Sequence, residues 1–208
     1  MHMDKIRVVL IEDDLDWIKI IETIIDNEDD MMLVACSRTK EEAIKLSGAL
    51  NQIDIFLVDI NLTEDNLDGI YTALELKRSE SSKIIMLTSM SDEEVIQQAF
   101  TAGATDYILK KDVTRIPEII RASCHETPPI QALIKDYVRL KSEEQLKELT
   151  TAERGVYDLI EQGYSRSEIQ KKLIKSDNTI KNQIKNILKK LSVSSMKEAI
   201  QKVKSGGL

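Results

Sequence analysis

Five polar residues of this 208-residue chain have the types and spacing to handle a phosphoryl group. They stand at the ends of four short apolar runs: Asp13 and Asp14, then Asp59, Thr88 and Lys110. Three carboxylates held close together need a cation, and hard oxygen ligands suit Mg²⁺. Lysine and threonine can supply a positive charge and a hydroxyl donor to phosphoryl oxygens. We therefore predict a Mg²⁺-dependent phosphoryl site in which the central carboxylate, Asp59, is the nucleophile.

These residues can meet only if the apolar runs are neighbouring strands of one sheet. The runs lie at 5–11, 31–36, 54–59, 83–88 and 105–109, and helical patterns lie near 15–27, 39–50, 68–79, 92–102 and 114–125. Strands that are apolar on both faces and separated by helices favour a parallel sheet covered on both sides. We predict a doubly wound, five-stranded α/β domain over residues 1–125, with its ligands at the carboxyl ends of the strands.

The remainder of the chain has no such alternation. We predict a partly helical linker over 126–148, which could pack on either domain or on a partner chain. Residues 149–208 are helical in pattern, with capping boxes predicted at Thr150 with Glu153, Ser165 with Glu168 and Ser195 with Glu198, and a fourth helix start at Ser176. The predicted helices lie near 151–162, 166–174, 177–191 and 195–204, which favours a small all-α helix-turn-helix domain.

The charge of the chain is unevenly divided. Residues 1–125 carry 13 Lys and Arg against 25 Asp and Glu, whereas residues 126–208 carry 16 against 11. This division favours an acidic, cation-binding domain joined to a basic, anion-binding one. Only two histidines are present, so histidine triads and multi-histidine metal sites are excluded. No apolar run approaches the ~20 residues of a membrane helix, and we expect a cytoplasmic protein that contacts no membrane.

The predicted helix 177–191 has a basic face. Lys181, Lys185 and Lys189 recur every four residues beside Asn182, with Thr179 near the helix start. Such a stripe can reach base edges and phosphates in the major groove of double-stranded DNA. On an isolated helix these lysines would be ordinary solvated surface, but the basic excess of the whole domain favours DNA.

The N-terminal half resembles the receiver domain of two-component response regulators, a flavodoxin-like (CheY-like) fold. The matching segments are VVLIEDD (8–14), IFLVDI (55–60), IIMLTS (84–89) and AGATDYILK (102–110). The resemblance implies that Asp59 accepts the phosphoryl group, with Thr88 and Lys110 contacting it and Tyr107 as the switch aromatic. It also implies Mg²⁺ ligands at Asp13, Asp14, Asp59 and the backbone carbonyl of Asn61. The loop 62–67 is about two residues longer than is usual in the family.

The C-terminal segment 149–195 resembles the LuxR-type helix-turn-helix of NarL-like response regulators. The resemblance implies that Lys181, Asn182 and Lys185 face promoter DNA and that the helix at 195–204 pairs two subunits. It also implies a sensor histidine kinase as phosphoryl donor, because neither His2 nor His125 lies in a kinase-like context. We expect a transcriptional regulator, not a metabolic enzyme, in which phosphorylation favours dimerisation or frees the recognition helix.

Two other functions remain open at this stage. A metal-dependent phosphohydrolase could use Asp59 as nucleophile, but Asn61 stands where a second carboxylate would serve as general acid. Multiple turnover on phosphate esters would favour this function. A DNA-binding or scaffold protein with a vestigial acidic site is the second alternative, and equal DNA affinity with and without a phosphodonor would support it.

Overall fold

The chain folds into two compact units, Met1–Lys135 and Asp136–Leu208. A computed structural model describes residues 5–50, 52–63, 67–76, 82–125 and 130–206. Each unit has its own hydrophobic core. The division falls inside the predicted linker, and the predicted domain limits at 125 and 149 stay predictions.

The first unit alternates strands and helices as predicted. The strands are β1 (Ile6–Ile11), β2 (Met31–Ser37), β3 (Ile55–Asp59), β4 (Lys83–Thr88) and β5 (Asp106–Leu109). The helices are α1 (Leu15–Asp26), α2 (Lys40–Ala49), α3 (Asp68–Leu76), α4 (Glu93–Ala102) and α5 (Ile116–His125). All strand pairs are parallel, in the order β2-β1-β3-β4-β5, so the doubly wound five-stranded sheet is confirmed.

The strand register aligns the carboxyl ends of the central strands at one edge of the sheet. Ile11 pairs with Val58, and the next residue of β3, Asp59, pairs with Leu87. Every residue of β3 is buried because this strand lies at the centre of the sheet. Polar residues just beyond these ends are therefore brought together, as a switch in strand order requires.

Two helix boundaries differ from the predicted ones. Lys110–Arg115 forms a 3₁₀ helix, so α5 begins at Ile116 rather than at 114. Helix α3 is described as far as Leu76, and the predicted continuation to 79 lies outside the described residues. Gly103 ends α4 with φ +110°, a left-handed conformation that glycine adopts without steric cost.

The second unit is helical. Its helices are α6 (Ile130–Leu146), whose first turns belong to the first unit, α7 (Thr151–Glu161), α8 (Arg166–Leu173), α9 (Asp177–Lys190) and α10 (Met196–Lys204). Their apolar faces enclose a core that includes Val156, Tyr157, Ile169, Ile180 and Ile187. The described part of the chain contains no helix with the length and apolar character of a membrane span.

The helix starts follow the predicted caps with one exception. The box at Thr150 and Glu153 is complete, and the Glu168 carboxylate accepts hydrogen bonds from the backbone and hydroxyl of Ser165. At α10 the Ser195 hydroxyl accepts from the Glu198 N–H as predicted. The Glu198 carboxylate, however, accepts chiefly from the N–H and hydroxyl of Ser194, one residue earlier, while the Ser195 backbone makes a smaller contribution to its lowered pKa.

Candidate functional site

Three carboxylates meet at the carboxyl edge of the sheet. Oxygen atoms of Glu12, Asp13 and Asp59 all lie within 4.8 Å of one another, and among the described residues this is the only such group with potential metal ligands. Glu12 directly follows β1 and is fully buried, while Asp59 ends β3 and is 5% exposed. The neighbouring positions of β1 and β3 in the sheet bring the three together.

Lys110 is the cation of this cluster. Its Nζ lies 2.8 Å from an oxygen of Glu12 and 3.0 Å from an oxygen of Asp59. The ring centroid of Trp17 lies 5.0 Å from the same nitrogen, a cation–π distance. Lys110 reaches the cluster because it directly follows β5, on the same edge of the sheet.

The ionisation of the cluster reflects an excess of negative charge. Burial raises the pKa of Glu12 to about 7, although Lys110 opposes the shift, and the Asp59 charge adds to it. Burial also raises the pKa of Asp59, against the charge and hydrogen bond of Lys110. The pKa of Lys110 is raised because its contacts with Glu12 and Asp59 outweigh the cost of burial. One lysine against three carboxylates leaves room for a divalent cation, and an all-oxygen ligand set suits Mg²⁺.

The Asp14 carboxylate lies outside this group of three, although the Asp14 N–H donates to a Glu12 carboxylate oxygen at 3.3 Å, and its predicted role as a metal ligand stays a prediction. The carboxylate caps α1, accepting hydrogen bonds from the N–H groups of Asp16 at 2.8 Å and Trp17 at 3.3 Å. The candidate ligand pair is therefore Glu12 and Asp13, one position earlier. The sequence held this signal, because an aspartate immediately before an amphipathic helix is a typical N-cap.

Thr88 and Tyr107 are joined through the backbone of one residue, Met90. The Thr88 hydroxyl accepts a hydrogen bond from the Met90 N–H at 3.1 Å, and the Tyr107 hydroxyl donates to the Met90 carbonyl at 3.0 Å. Thr88 is buried at the end of β4, and burial raises the pKa of Tyr107 to about 12, so its hydroxyl stays protonated. The Asn61 side-chain amide donates a hydrogen bond to the sulfur of Met90 at 3.5 Å. The predicted role of the Asn61 carbonyl stays a prediction.

The loop after β3 is tied down at both of its described ends. The Asp68 carboxylate accepts from the Leu62 N–H and the Thr63 hydroxyl, each at 2.9 Å. A Cβ atom on Gly69 would lie 1.8 Å from the Asp59 carbonyl oxygen, so only glycine allows this close approach. The Asp-Gly pair thus supports the backbone of Asp59. Residues 64–66, the extra acids included, lie outside the described residues.

Comparison with known families is decisive for both halves of the chain. Residues 8–121 match the response regulator receiver domain, and residues 147–203 match the family described as bacterial regulatory proteins, luxR family. The chain belongs to the response regulator family. It joins a receiver domain to a LuxR-type DNA-binding domain, which makes it a regulatory protein rather than a metabolic enzyme.

Relatives match this response regulator over almost the whole of both chains. The transcriptional regulatory protein LiaR of Bacillus subtilis is 30% identical, over 93% of this chain and 94% of that protein. The response regulator protein VraR of Staphylococcus saprophyticus is 30% identical, over 92% and 93%. A solved structure of the Salmonella typhimurium response regulator RcsB has a similar fold, with a TM-score of 0.53 and 23% identity over 93% of this chain and 95% of that one.

In this response regulator, the predicted DNA-facing residues lie on the exposed side of α9. Thr179, Lys181, Asn182, Lys185 and Lys189 are all exposed, whereas Ile180 and Ile187 on the other side are buried in the core. The Ser176 hydroxyl caps the helix by accepting from the Thr179 N–H. The lysine and asparagine stripe is thus presented to solvent from the first turn of α9 to its last.

An acid at the start of α9 binds part of this basic surface. Asp177 lies 2.9 Å from Lys181 and 2.9 Å from Arg166 of α8, and it accepts a hydrogen bond from Gln170 at 2.6 Å. These contacts hold the pKa of Asp177 below its usual range, the Lys181 bond contributing most. The spacing of four residues between Asp177 and Lys181 is typical of a helical ion pair, so the sequence contains a signal for this contact.

Lys190, in contrast, is partly buried and is bound to the body of the domain. Its Nζ lies 2.7 Å from the Glu153 carboxylate and donates to the Glu148 carbonyl at 3.0 Å. The bond from Lys190, with the bonds from Thr150, lowers the pKa of Glu153 to about 2. The end of α9 is therefore fixed to the start of α7, while the other lysines of α9 remain on the surface.

Proposed function

We propose that this response regulator is a DNA-binding transcription regulator switched by Mg²⁺-dependent phosphorylation of Asp59. A sensor histidine kinase is the expected donor and promoter DNA the expected target. Phosphorylation favours a homodimer, frees the recognition helix α9, or does both. The observation that carries the proposal is the position of Asp59, buried at the sheet edge with Lys110 3.0 Å away and two acids beside it.

The reaction requires Asp59 to attack phosphorus. A carboxylate oxygen of Asp59 forms a bond to phosphorus while the phosphorus–nitrogen bond of a donor phosphohistidine breaks. Lys110 neutralises charge on the transferring oxygens, because its Nζ already lies against the attacking carboxylate. Thr88, at the end of the adjacent strand, offers a hydroxyl to the same oxygens once it leaves the Met90 N–H.

Glu12, Asp13 and Asp59 would hold the metal ion. Bound Mg²⁺ supplies charge compensation for the three carboxylates and for the transferring phosphoryl group. Lys110 currently contacts two of these carboxylates, so it can turn toward the phosphoryl oxygens when the acids are otherwise neutralised. A lysine that can exchange partners suits this site, because its charge becomes available to the phosphoryl oxygens once the carboxylates are neutralised.

The backbone of Met90 supplies a route from Asp59 to the surface. A Thr88 hydroxyl drawn to the phosphoryl group gives up its bond from the Met90 N–H. The turn after β4 can then move, and the Tyr107 hydroxyl loses its fixed acceptor on the Met90 carbonyl. Thr88 and Tyr107 thus act as one two-state element whose populations phosphorylation shifts.

The DNA part of the proposal rests on α9. Five exposed polar or basic residues on this helix can meet phosphates and base edges, and a buried apolar side holds the helix on its domain. The related fold of RcsB has been solved in complex with DNA and as dimers on DNA. We extend that mode of binding to this chain on the strength of its own basic surface.

Phosphate incorporation tests the proposal. The full chain is incubated with acetyl phosphate and Mg²⁺, and the modified residue is located by mass spectrometry. Asp59→Asn should abolish incorporation, whereas Asp54→Asn, at the opposite end of β3, should leave it unchanged. Incorporation that survives Asp59→Asn would refute the assignment, and multiple turnover on phosphate esters would favour a phosphohydrolase instead.

A further inference from the structure

Helix α6 has an apolar stripe that plays no part in the function proposed so far. Leu133, Tyr137 and Leu140 recur at intervals of four and three residues, the spacing of heptad core positions. Leu133 is 66% exposed and Leu140 is 58% exposed, which is unusual for leucines on one helix face. Tyr137 is half-buried, with Lys141 Nζ 5.9 Å from its ring centroid.

The opposite face of α6 is already occupied by the second unit. The Ser142 hydroxyl donates to the Val203 carbonyl at 3.1 Å, and the Gln145 amide donates to the Gly206 carbonyl at 3.2 Å. Leu146 is buried in the helical core. With 3.6 residues per turn, these three residues lie on the side of α6 opposite Leu140. Leu140 therefore points away from the helical core to which this part of α6 is fixed.

Charged residues flank the stripe in a pattern that specifies a partner. With Tyr137 and Leu140 at heptad positions a and d, Asp136 occupies position g and Lys141 occupies position e. In a parallel, in-register pair of such helices, each g residue faces the e residue five positions on in the other helix. Asp136 of one copy would then meet Lys141 of the other, twice by symmetry.

The same charges disfavour an antiparallel pair. There g faces g and e faces e, so Asp136 of one copy would no longer meet Lys141 of the other. The present partners of Asp136 and Lys141 are exposed and lie within the same helix: Arg139 lies 3.3 Å from Asp136, and Glu144 lies 3.4 Å from Lys141. Glu143 is instead held by Arg154 of α7 at 3.0 Å. Exposed pairs of this kind contribute little and can be exchanged for contacts with a second chain.

We propose that α6 forms a parallel two-stranded coiled coil with α6 of a second copy of this chain. The inference rests on the proposed function in one respect, since it names the surface through which the expected dimer is joined. The stripe from Leu133 to Leu140 spans about one heptad, fewer than the three or four of a free-standing coiled coil. The pairing therefore adds to other contacts between two copies, and it places their DNA-binding domains on the same side of the dimer.

Disulfide cross-linking tests the geometry. Both native cysteines, Cys36 and Cys124, are replaced by serine, and Leu140→Cys is introduced at the core of the stripe. Lys135→Cys, exposed on the other side of the same helix, is the matched control. Mild oxidation of the concentrated full chain, with and without acetyl phosphate and Mg²⁺, should cross-link Leu140→Cys at least tenfold faster than the control. Equal rates, or no cross-link in either condition, would overturn the coiled coil.

A charge exchange tests the predicted partner directly. Asp136→Lys and Lys141→Asp should each weaken dimerisation at least fivefold in sedimentation equilibrium, because each places like charges opposite one another. The double variant should restore the wild-type association constant to within about twofold. If the single variants instead weakened dimerisation by breaking pairs within the helix, the double variant would not restore it. No rescue, or a chain that is monomeric at every concentration, would contradict the proposal.

Asp59 labelling in the same variants separates the two proposals. Because α6 is remote in sequence from the phosphoryl site, labelling should be unchanged in every α6 variant. Normal labelling without cross-linking or rescue would refute the coiled coil alone. Absent labelling with cross-linking at Leu140→Cys would refute the phosphorylation proposal and leave the coiled coil standing.

Discussion

Replacing Glu12 with glutamine should make the metal-free receiver unit more stable while weakening its response to Mg²⁺. Glu12 is fully buried, and its pKa is raised from 4.5 to about 7, chiefly by burial. Below about pH 4.5 both the folded and the unfolded chain are protonated at Glu12, so the buried side chain carries no charge and costs no stability. Between 4.5 and 7 only the unfolded chain loses its proton, and above 7 the folded chain bears the full cost of the buried charge.

The magnitude follows from the pKa difference. A shift of about 2.5 pH units corresponds to about 3 kcal/mol at pH 8. Glutamine resembles protonated glutamic acid in size and charge, so Glu12→Gln should raise the free energy of unfolding in EDTA by about 2 to 3 kcal/mol at pH 8. Near pH 4.5 the wild type and the variant should be almost equally stable.

The Mg²⁺ response should change in the opposite direction. Magnesium at a hundred times its dissociation constant adds about 2.7 kcal/mol to the stability of a protein that binds it only when folded. A tenfold weaker site would reduce that gain to about 1.4 kcal/mol in Glu12→Gln at the same Mg²⁺ concentration. Asp14→Asn is the matched control, since asparagine also caps helices and the Asp14 carboxylate is outside the group of three.

Urea unfolding followed by tryptophan fluorescence measures both effects. Trp17 is the only tryptophan of the chain and lies beside Lys110, so it reports on the first unit and not on the second. Lower stability of Glu12→Gln in EDTA, or a Mg²⁺ response lost in Asp14→Asn but kept in Glu12→Gln, would refute the assignment of Glu12 to the metal site.

Four further substitutions test other parts of the account. Asp177→Asn should strengthen DNA binding several-fold in fluorescence anisotropy and steepen its salt dependence, because Lys181 and Arg166 become available to phosphates; unchanged affinity would contradict this. Glu153→Gln should lower the free energy of unfolding of the second unit by about 2 to 3 kcal/mol above about pH 4.5, a stability that the wild type itself loses as pH falls toward 2. Unfolding of the second unit is followed by circular dichroism, because Trp17 fluorescence reports only on the first unit. An unaltered pH dependence of stability would count against the Glu153–Lys190 pair. Gly69→Ala should cost about 1 to 3 kcal/mol and slow Asp59 labelling, since its Cβ would collide with the Asp59 carbonyl; Gly155→Ala, with open space around the Cβ, should instead stabilise its helix by up to about 1 kcal/mol.

The fold could be predicted because strand burial and helix periodicity are strong local signals. The apolar runs that become β1 to β5 are almost continuous, and the helices between them have apolar residues at helical spacing. Asp59 and Lys110 could be placed at one sheet edge because parallel strands share a direction. Their contact at 3.0 Å follows from that topology.

The contacts that could not be predicted from the sequence depend on which of several adjacent residues makes them. Three consecutive acids follow β1. The end of the strand and the start of α1 determine which of them is buried. Glu12 continues the buried strand, while Asp14 is used as a cap. At α10, two adjacent serines compete for Glu198, and the local backbone favours Ser194 over Ser195. Contacts such as Asp177 with Arg166 join two helices, so no single-helix pattern contains them.

The central claim is that the state of Asp59 controls DNA binding by α9. The most direct measurement is the dissociation constant of the full chain for DNA selected by the phosphorylated protein, with and without acetyl phosphate in Mg²⁺. We predict that phosphorylation changes the affinity of the wild type by about tenfold or more, within the usual range of coupling between sites. Asp59→Asn should show no change. Equal affinities of the labelled and unlabelled wild type would contradict the account.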